Sequence, residues 1–338
     1  MRFLVTGHTG FKGAWLTVLL NKRGHEVHGI SLDPVEHSLF ESAGIRNILA
    51  KDIRCDIRDS SMLQSAFKKI DPDVVIHMAA QSLVRNSYQD PMGTFETNVN
   101  GTLNVLNATQ TLKNVGAQLI VTTDKVYKNI NKTQGYSESD CLGGHDPYSA
   151  SKAMADIATQ SWVSSFGGPP TAIARAGNVI GGGDIATDRL IPDLMNAFAA
   201  GATPKLRFPQ AVRPWQFVLD CLNGYLLVID SLLVGQGQGA WNFGPLSKDI
   251  RTVADVAEGV GELWGVNDKW KSDSKVNPHE AELLLLDTSK ARVELCWNDK
   301  LNFEQSISWT TNWYKQVNQG MTPIEATTKD VNNFETLH

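Results

Sequence analysis

Cysteine is scarce in this chain. Cys55, Cys141, Cys221 and Cys296 are the four in 338 residues, and their wide spacing excludes a disulfide framework, a redox pair or a metal cluster. The eight histidines are equally dispersed. His77 falls inside a strand-like run, where a packed ring is a simpler reading than a ligand, and no metal is expected. There is no lysine/arginine tract, and a net charge of −5 with mixed signs argues against nucleic acid as a partner. Long hydrophobic runs are also missing. The apolar stretch 224–234 is broken by Asp230 and reads as an amphipathic helix rather than a membrane span. A secretory leader is not expected, because Phe3 already opens a strand. Repeats and low-complexity tracts are absent. A soluble, cytoplasmic protein in a reducing compartment fits these absences, with length enough for one large domain or two unequal ones.

What is present begins at once. Residues 3–5 read as a buried strand and residues 14–20 as an apolar helix start. Between them runs Gly7-His8-Thr9-Gly10-Phe11-Lys12-Gly13, a variant spacing of the dinucleotide-binding turn. Glycines there allow a tight turn, close approach of backbone to a pyrophosphate, and close helix-on-strand packing. The helix N-terminus then faces the phosphates. A second strand ends at Asp33, twenty positions after Gly13. An acid at that point bonds both ribose hydroxyls and repels a 2′-phosphate, which favours NAD over NADP.

Strand patterns at 3–5, 27–32, 48–54, 74–78, 119–123 and 171–175 alternate with helical patterns at 60–70, 94–112 and 148–165. Such alternation implies an α/β fold, a Rossmann-like doubly wound parallel sheet. A smaller C-terminal substrate-binding lobe follows, with helices near 189–200, 253–263, 289–295 and 303–319 and a polar end, 327–338, expected to fray. The expected division is 1–175 with 212–240 for the cofactor, and 176–211 with 241–338 for the substrate. Ligands sit outside the carboxyl ends of such strands, which gathers Thr123, Asp124, Lys125 and Asn178 in one crevice. Tyr148 and Lys152, four apart, share a helix face. An ammonium beside a phenol favours the phenolate and lowers its pKa, so the pair can take a proton from an alcohol. Between 175 and 213, Arg175, Arg189, Lys205, Arg207 and Arg213 outnumber Asp184, Asp188 and Asp193. That surplus suits either a diphosphate or a solvated surface.

Several motifs together resemble the extended short-chain dehydrogenase/reductase family, and within it the dehydratases that act on CDP-glucose. They are the glycine turn, Thr122-Thr123-Asp124-Lys125, the run from Gly143 to Lys152, the run from Ala174 to Asp184, Asp188 to Asp193, Arg213-Pro214-Trp215-Gln216, Trp241 to Pro245 and Pro278 to Ala281. The Thr-Asp-Lys triple and Arg-Pro-Trp-Gln discriminate most. Ala14 in place of serine, Val126 in place of cysteine and a short 167–170 junction depart from the pattern without removing a chemical group. The resemblance implies NAD as cofactor, a nucleotide sugar such as CDP-glucose as substrate, and a role in deoxysugar and O-antigen synthesis. It also implies a homodimer or dimer of dimers paired through 94–112 and 148–165.

Oxidation at C4 would acidify the C5 proton, water would leave from C5 and C6, and the hydride would return to C6. In that scheme Tyr148 takes the C4 proton, Lys152 holds the cofactor ribose, Thr123 bonds the C4 oxygen and Asp124 donates to the leaving C6 oxygen. Lys125 stands where related dehydratases carry a glutamate base; it either removes the C5 proton when neutral or stabilises the enolate when charged. Asp56 and Ile57 are implied at the adenine, Ala79, Ala80 and Gln81 at the nicotinamide, and Asn98 at the ribose. Asn178, Arg189 and Arg213 are implied at the diphosphate. Trp215 either walls the base or fills the core, and His279 with Glu280 either touches the nucleotide or closes the lobe. His8, beside the pyrophosphate turn, either crowds the cofactor or turns to solvent.

Overall fold

Apolar strands covered on both faces build the centre of the protein, as expected where helices flank a parallel sheet. The computed structural model describes residues 1–273 and 283–337. Six strands come first: β1 (Arg2–Thr6), β2 (Glu26–Ser31), β3 (Lys51–Arg54), β4 (Val74–His77), β5 (Ala117–Val121) and β6 (Thr171–Ala176). A seventh, Gly239–Phe243, pairs with β6, so the order is Gly239–Phe243, β6, β5, β4, β1, β2, β3, all parallel. The domain boundary expected at residue 240 therefore falls inside a strand whose residues belong with the sheet. From β1 the chain winds outward to β3 and then returns to β4 on the other side of β1. This reversal opens the crevice in which such sheets hold ligands.

One face of the sheet buries the first helix, Phe11–Lys22, and the helix Val218–Leu233 around Trp15, Leu222, Tyr225 and Phe243. The other buries Leu63, Phe67 and Val105 from the helices Ser60–Ile70 and Gly101–Gln110. The helix expected over 94–112 is not uniform. A short turn, Pro91–Phe95, passes through the π-helical residues Glu96–Asn100 before Gly101–Gln110 begins. The third strand starts only at Lys51, because Ile45–Ile48 form a 3₁₀ turn. The smaller lobe packs Leu194, Phe198, Val256 and Ile307 from the helices Leu190–Ala199, Val253–Trp264 and Phe303–Asn318.

The C-terminal end does not fray as its polarity implied. Pro323–Thr336 is a helix, started by a capping box between Thr322 and Glu325, and it buries Ala326, Val331 and Phe334. Polar residues on its outer face masked a 3.6-residue apolar stripe. Asp330 lies on the buried side, 7% exposed, with Oδ2 lacking a partner, and burial pushes its carboxyl up to about 7. Because that value exceeds the ordinary carboxylate value of about 4, the folded state holds the extra proton and stability falls as pH rises between the two. Asp330→Asn is expected to gain about 2 kcal/mol over the parent above the upper value, the gap closing below the lower one. Thermal melts across that range check it; parallel pH profiles for the two proteins would contradict it.

Candidate active site

The glycine turn joins β1 to the first helix as the spacing requires. Gly7 has φ +76°, and a Cβ there would lie 2.7 Å from the Ala79 nitrogen. A Cβ on Gly13 would lie 2.3 Å from the Gly7 carbonyl oxygen, so the helix and turn touch backbone to backbone. The helix starts at Gly10 with no side chain capping it, which leaves its first amides to an anion. Thr9 ties the turn to β2 through a 2.7 Å hydrogen bond with Ser31. This cradle fits a dinucleotide pyrophosphate. Asp33 stands just past β2, its side chain 90% exposed and 3.6 Å from Arg54.

His8 follows neither expected course. Its side chain is fully buried, its Nε2 lies 2.8 Å from Asp52, and its ring packs edge-on to Phe40. Burial lowers its pKa against the opposing pull of Asp52. The ring therefore points under β2 and away from the turn. The space it fills is that of a missing side chain, since a Cβ on Gly29 would come within 2.4 Å of the ring. Gly29→Ala is expected to cost about 2 kcal/mol by overpacking, most of it recovered by adding His8→Ala, as urea unfolding would show.

The second half of the site comes from the end of β5 and the helix Pro147–Phe166, which Asp146 caps by accepting from the Ser149 amide. Tyr148 and Lys152 are both buried on one face of this helix. Thr123 and Tyr148 both line the cavity, and the Thr123 hydroxyl donates to Asp124 Oδ1 at 2.9 Å. Asp124 Oδ2 is buried with no hydrogen-bond partner. Lys125, half-buried, lines the same cavity, whose volume is about 1410 Å³.

Two pKa directions depart from the sequence expectation. Burial pushes Tyr148 up to about 12, with Thr123 and Arg189 opposing it. Lys152 does not lower it, because the ammonium donates to the Val121 carbonyl at 2.7 Å. Lys152 itself falls to about 7, through burial first and the Lys12 ammonium second. Lys12, half-buried on the first helix, donates to the Tyr225 hydroxyl at 3.0 Å.

The remaining expected residues divide. Ala80, Asn178, Arg189 and Arg213 line the cavity. Arg189 pairs with Asp184 at 2.9 Å and reaches Ser82 at 3.1 Å, bridging the two walls. Ala79 is pinned by its amide to Thr6 Oγ1 at 3.2 Å. Asn98 is buried: it accepts from the Gln81 amide and donates to the Gln81 carbonyl and to Ser151, so it shapes the loop after β4. Asp56 holds Arg58 at 2.6 Å, which lowers its pKa, and Ile57 packs on Gly101. Arg175 is buried in an ion pair with Asp156 and leaves the diphosphate group of cations. Trp215 is buried, donates to the Arg251 carbonyl at 3.1 Å and also lines the cavity. His279 and Glu280 lie outside the described residues. His77 is packed, between Thr6 at 2.7 Å and Thr102 at 3.1 Å, and burial lowers it to about 3. Among the described residues no cluster could hold a metal ion, and no helix is long and apolar enough to cross a membrane.

Sequence reasoning missed Asp52, Tyr225 and Asp156. The first two are joined to the site only by tertiary packing. Asp156 carried a signal, four residues beyond Lys152 on the same helix face.

A parallel sheet with a glycine turn at its switch point and a buried Tyr148–Lys152 pair defines an extended short-chain dehydrogenase/reductase. The chain belongs to the GDP-mannose 4,6-dehydratase family, whose profile matches residues 4–310. The CDP-glucose 4,6-dehydratase of Salmonella typhimurium is 38% identical to it, over 98% of this chain and 96% of that protein. Among solved structures, a dTDP-glucose 4,6-dehydratase from Streptomyces venezuelae with NAD bound has a TM-score of 0.81 and 26% identity, covering 96% of this chain and 100% of that one. The UDP-glucose 4-epimerase of Thermus thermophilus, in complex with NAD, matches with TM-score 0.81 and 26% identity over 93% and 99%.

Proposed function

We propose that this protein is an NAD-dependent dehydratase converting CDP-glucose to CDP-4-keto-6-deoxyglucose and water. The observation that carries this reading is the Thr123-Asp124-Lys125 triple lining one cavity with Tyr148. An epimerase, which needs only oxidation and turnover of the sugar, has no use for an acid and an amine beside its tyrosine. The choice of CDP rests on the 38% identity with the Salmonella enzyme, a level well above the 30% shared with a probable dTDP-glucose dehydratase of Sinorhizobium fredii.

A bound NAD would supply the hydride acceptor for C4 and the hydride donor for C6. Gly7, Gly10, Phe11 and Lys12 cradle its pyrophosphate, Asp33 its ribose, and Ala80 borders its nicotinamide. Tyr148 takes the proton of the C4 hydroxyl, and Thr123 bonds the same oxygen. Lys152, on the same helix face as Tyr148, would hold the cofactor ribose. Burial disfavours a phenolate, so the cations of the cavity, Arg189 above all, make its formation possible. Asp124 Oδ2, buried and unpartnered, is the position from which a proton reaches the departing C6 oxygen. Lys125 acts at C5. Asn178, Arg189 and Arg213 hold the diphosphate, the arginines through paired N–H donors.

The sheet with the strand Gly239–Phe243 carries the cofactor, and the smaller lobe carries the nucleotide. Two copies pair through the helix Pro147–Phe166, where Met154, Ile157 and Phe166 are exposed apolar residues. The enzyme works in the cytoplasm, in deoxysugar synthesis for O-antigen. Incubation with CDP-, dTDP-, UDP- and GDP-glucose, scored for 4-keto-6-deoxy sugar by its alkaline absorbance, tests the assignment. Ketone from the CDP sugar is expected. An unoxidised epimer as the product would replace this reading with that of an epimerase.

A further inference from the structure

Behind the cavity lies a charged pair that the chemistry above does not use. Asp156 is 0% and Arg175 1% exposed at the side chain. Their contact is two-pronged, Nε to Oδ2 at 2.8 Å and Nη2 to Oδ1 at 2.8 Å. Neither residue lines the cavity. Gln160, one turn further along the helix, donates to Asp156 Oδ1 at 2.7 Å, and other bonds of the pair reach residues beside the catalytic groups. Thr122, the neighbour of Thr123, donates to Asp156 Oδ2 at 3.2 Å. Arg175 Nη1 donates to the Tyr127 hydroxyl at 2.9 Å and to the Glu138 carbonyl at 3.1 Å. Tyr127, two residues past Lys125, passes its own proton to Asn242 at 2.7 Å. Asp156 is one turn beyond Lys152 and two beyond Tyr148 on the same helix.

Removing two charges from water is costly, and an apolar pair of equal volume generally holds a fold as well or better. Stability therefore does not account for this pair. Geometry does: one carboxylate grips the strand end before the Thr-Asp-Lys triple, and its partner grips the segment after it. We propose that Asp156 and Arg175 are positioning residues, which fix the helix bearing Tyr148 and Lys152 against the end of β5 so that phenol, threonine and ammonium meet one sugar carbon. The pair also sets the field at Lys152. That ammonium is faced by Lys12 from the first helix and by His77 from β4, and Asp156 is the acid that opposes the effect of Lys12.

This inference rests on the dehydratase reading, and its test separates the two. The double variant Asp156→Leu/Arg175→Met removes both charges of the pair together and is expected to fold with a melting temperature close to the parent's. Its kcat should fall about 10²-fold, the scale of a misplacement near 1 Å, with KM for CDP-glucose changed less than about threefold. The alkaline limb of its kcat profile should move to lower pH, because Lys152 loses the charge that favours its protonated form. Thr122→Val, which keeps shape and folding, should lower kcat by about threefold to tenfold at unchanged KM. Asp156→Glu should recover part of the rate. A double variant or a Thr122→Val protein with the parent's kcat and pH profile overturns the proposal. A parent inactive on every sugar fails the dehydratase reading instead. The pair is then judged by NAD binding, where an affinity equal to the parent's in the double variant also overturns it.

Discussion

Tyr148→Phe is expected to lower ketone formation about 10³-fold, within the range that a positioned acid–base group contributes, and to leave the folded protein intact. The expectation follows from what the phenol touches. Tyr148 is 9% exposed and packs as a phenylalanine would, while it shares the cavity with Thr123, whose own proton is already committed to Asp124. Deleting the Tyr148 hydroxyl breaks no hydrogen bond of the described structure but removes the atom that must take the C4 proton. Thermal melting within a few degrees of the parent, with kcat lost and nucleotide-sugar binding retained, is the pattern to look for. Ketone output near the parent's level would remove Tyr148 from the reaction and with it the sequence of steps proposed here. The alkaline shift of the phenol to about 12 adds a sign: catalysis needs the cations of the site. Arg189→Ala should therefore lower kcat as well as weaken substrate binding.

Much of this architecture could be read from local patterns. The glycine turn, the apolar strands and the Tyr148–Lys152 spacing are local, and each led to the element found. The departures arose where tertiary contacts decide. Lys152 was expected to lower the Tyr148 pKa, but the Val121 carbonyl lies within its reach and takes the bond. His8 looked like an obstruction in the turn because one-dimensional spacing cannot show that Gly29, two strands into the fold, leaves a hole for its ring. Asn98 and Arg175 had side chains suited to ligands. Both found buried protein partners instead, Gln81 and Ser151 for one and Asp156 for the other. Trp215 and the C-terminal helix show the same limit from the apolar side, since burial depends on what another segment brings to a face.

Asp124→Asn should separate elimination from the events that precede it. The amide keeps the size and can still accept from Thr123, as Asp124 Oδ1 does at 2.9 Å, so Tyr148 stays in place and C4 chemistry continues. What is lost is a transferable proton at the buried, unpartnered Oδ2, the point assigned to the C6 oxygen. Ketone release is expected to fall about 10²- to 10³-fold, while the C5 hydrogen continues to exchange with deuterated solvent during incubation with CDP-glucose. Lys125→Ala should give the converse, slower exchange at C5 together with slower ketone release, because the half-buried amine is the cavity group assigned to that carbon. Exchange undiminished in Lys125→Ala would strip the lysine of the base role and leave it as a charge that steadies the enolate. Exchange abolished in Asp124→Asn would mean that the carboxylate acts before elimination, on C4 or C5, and that the leaving hydroxyl draws its proton from another donor in the cavity.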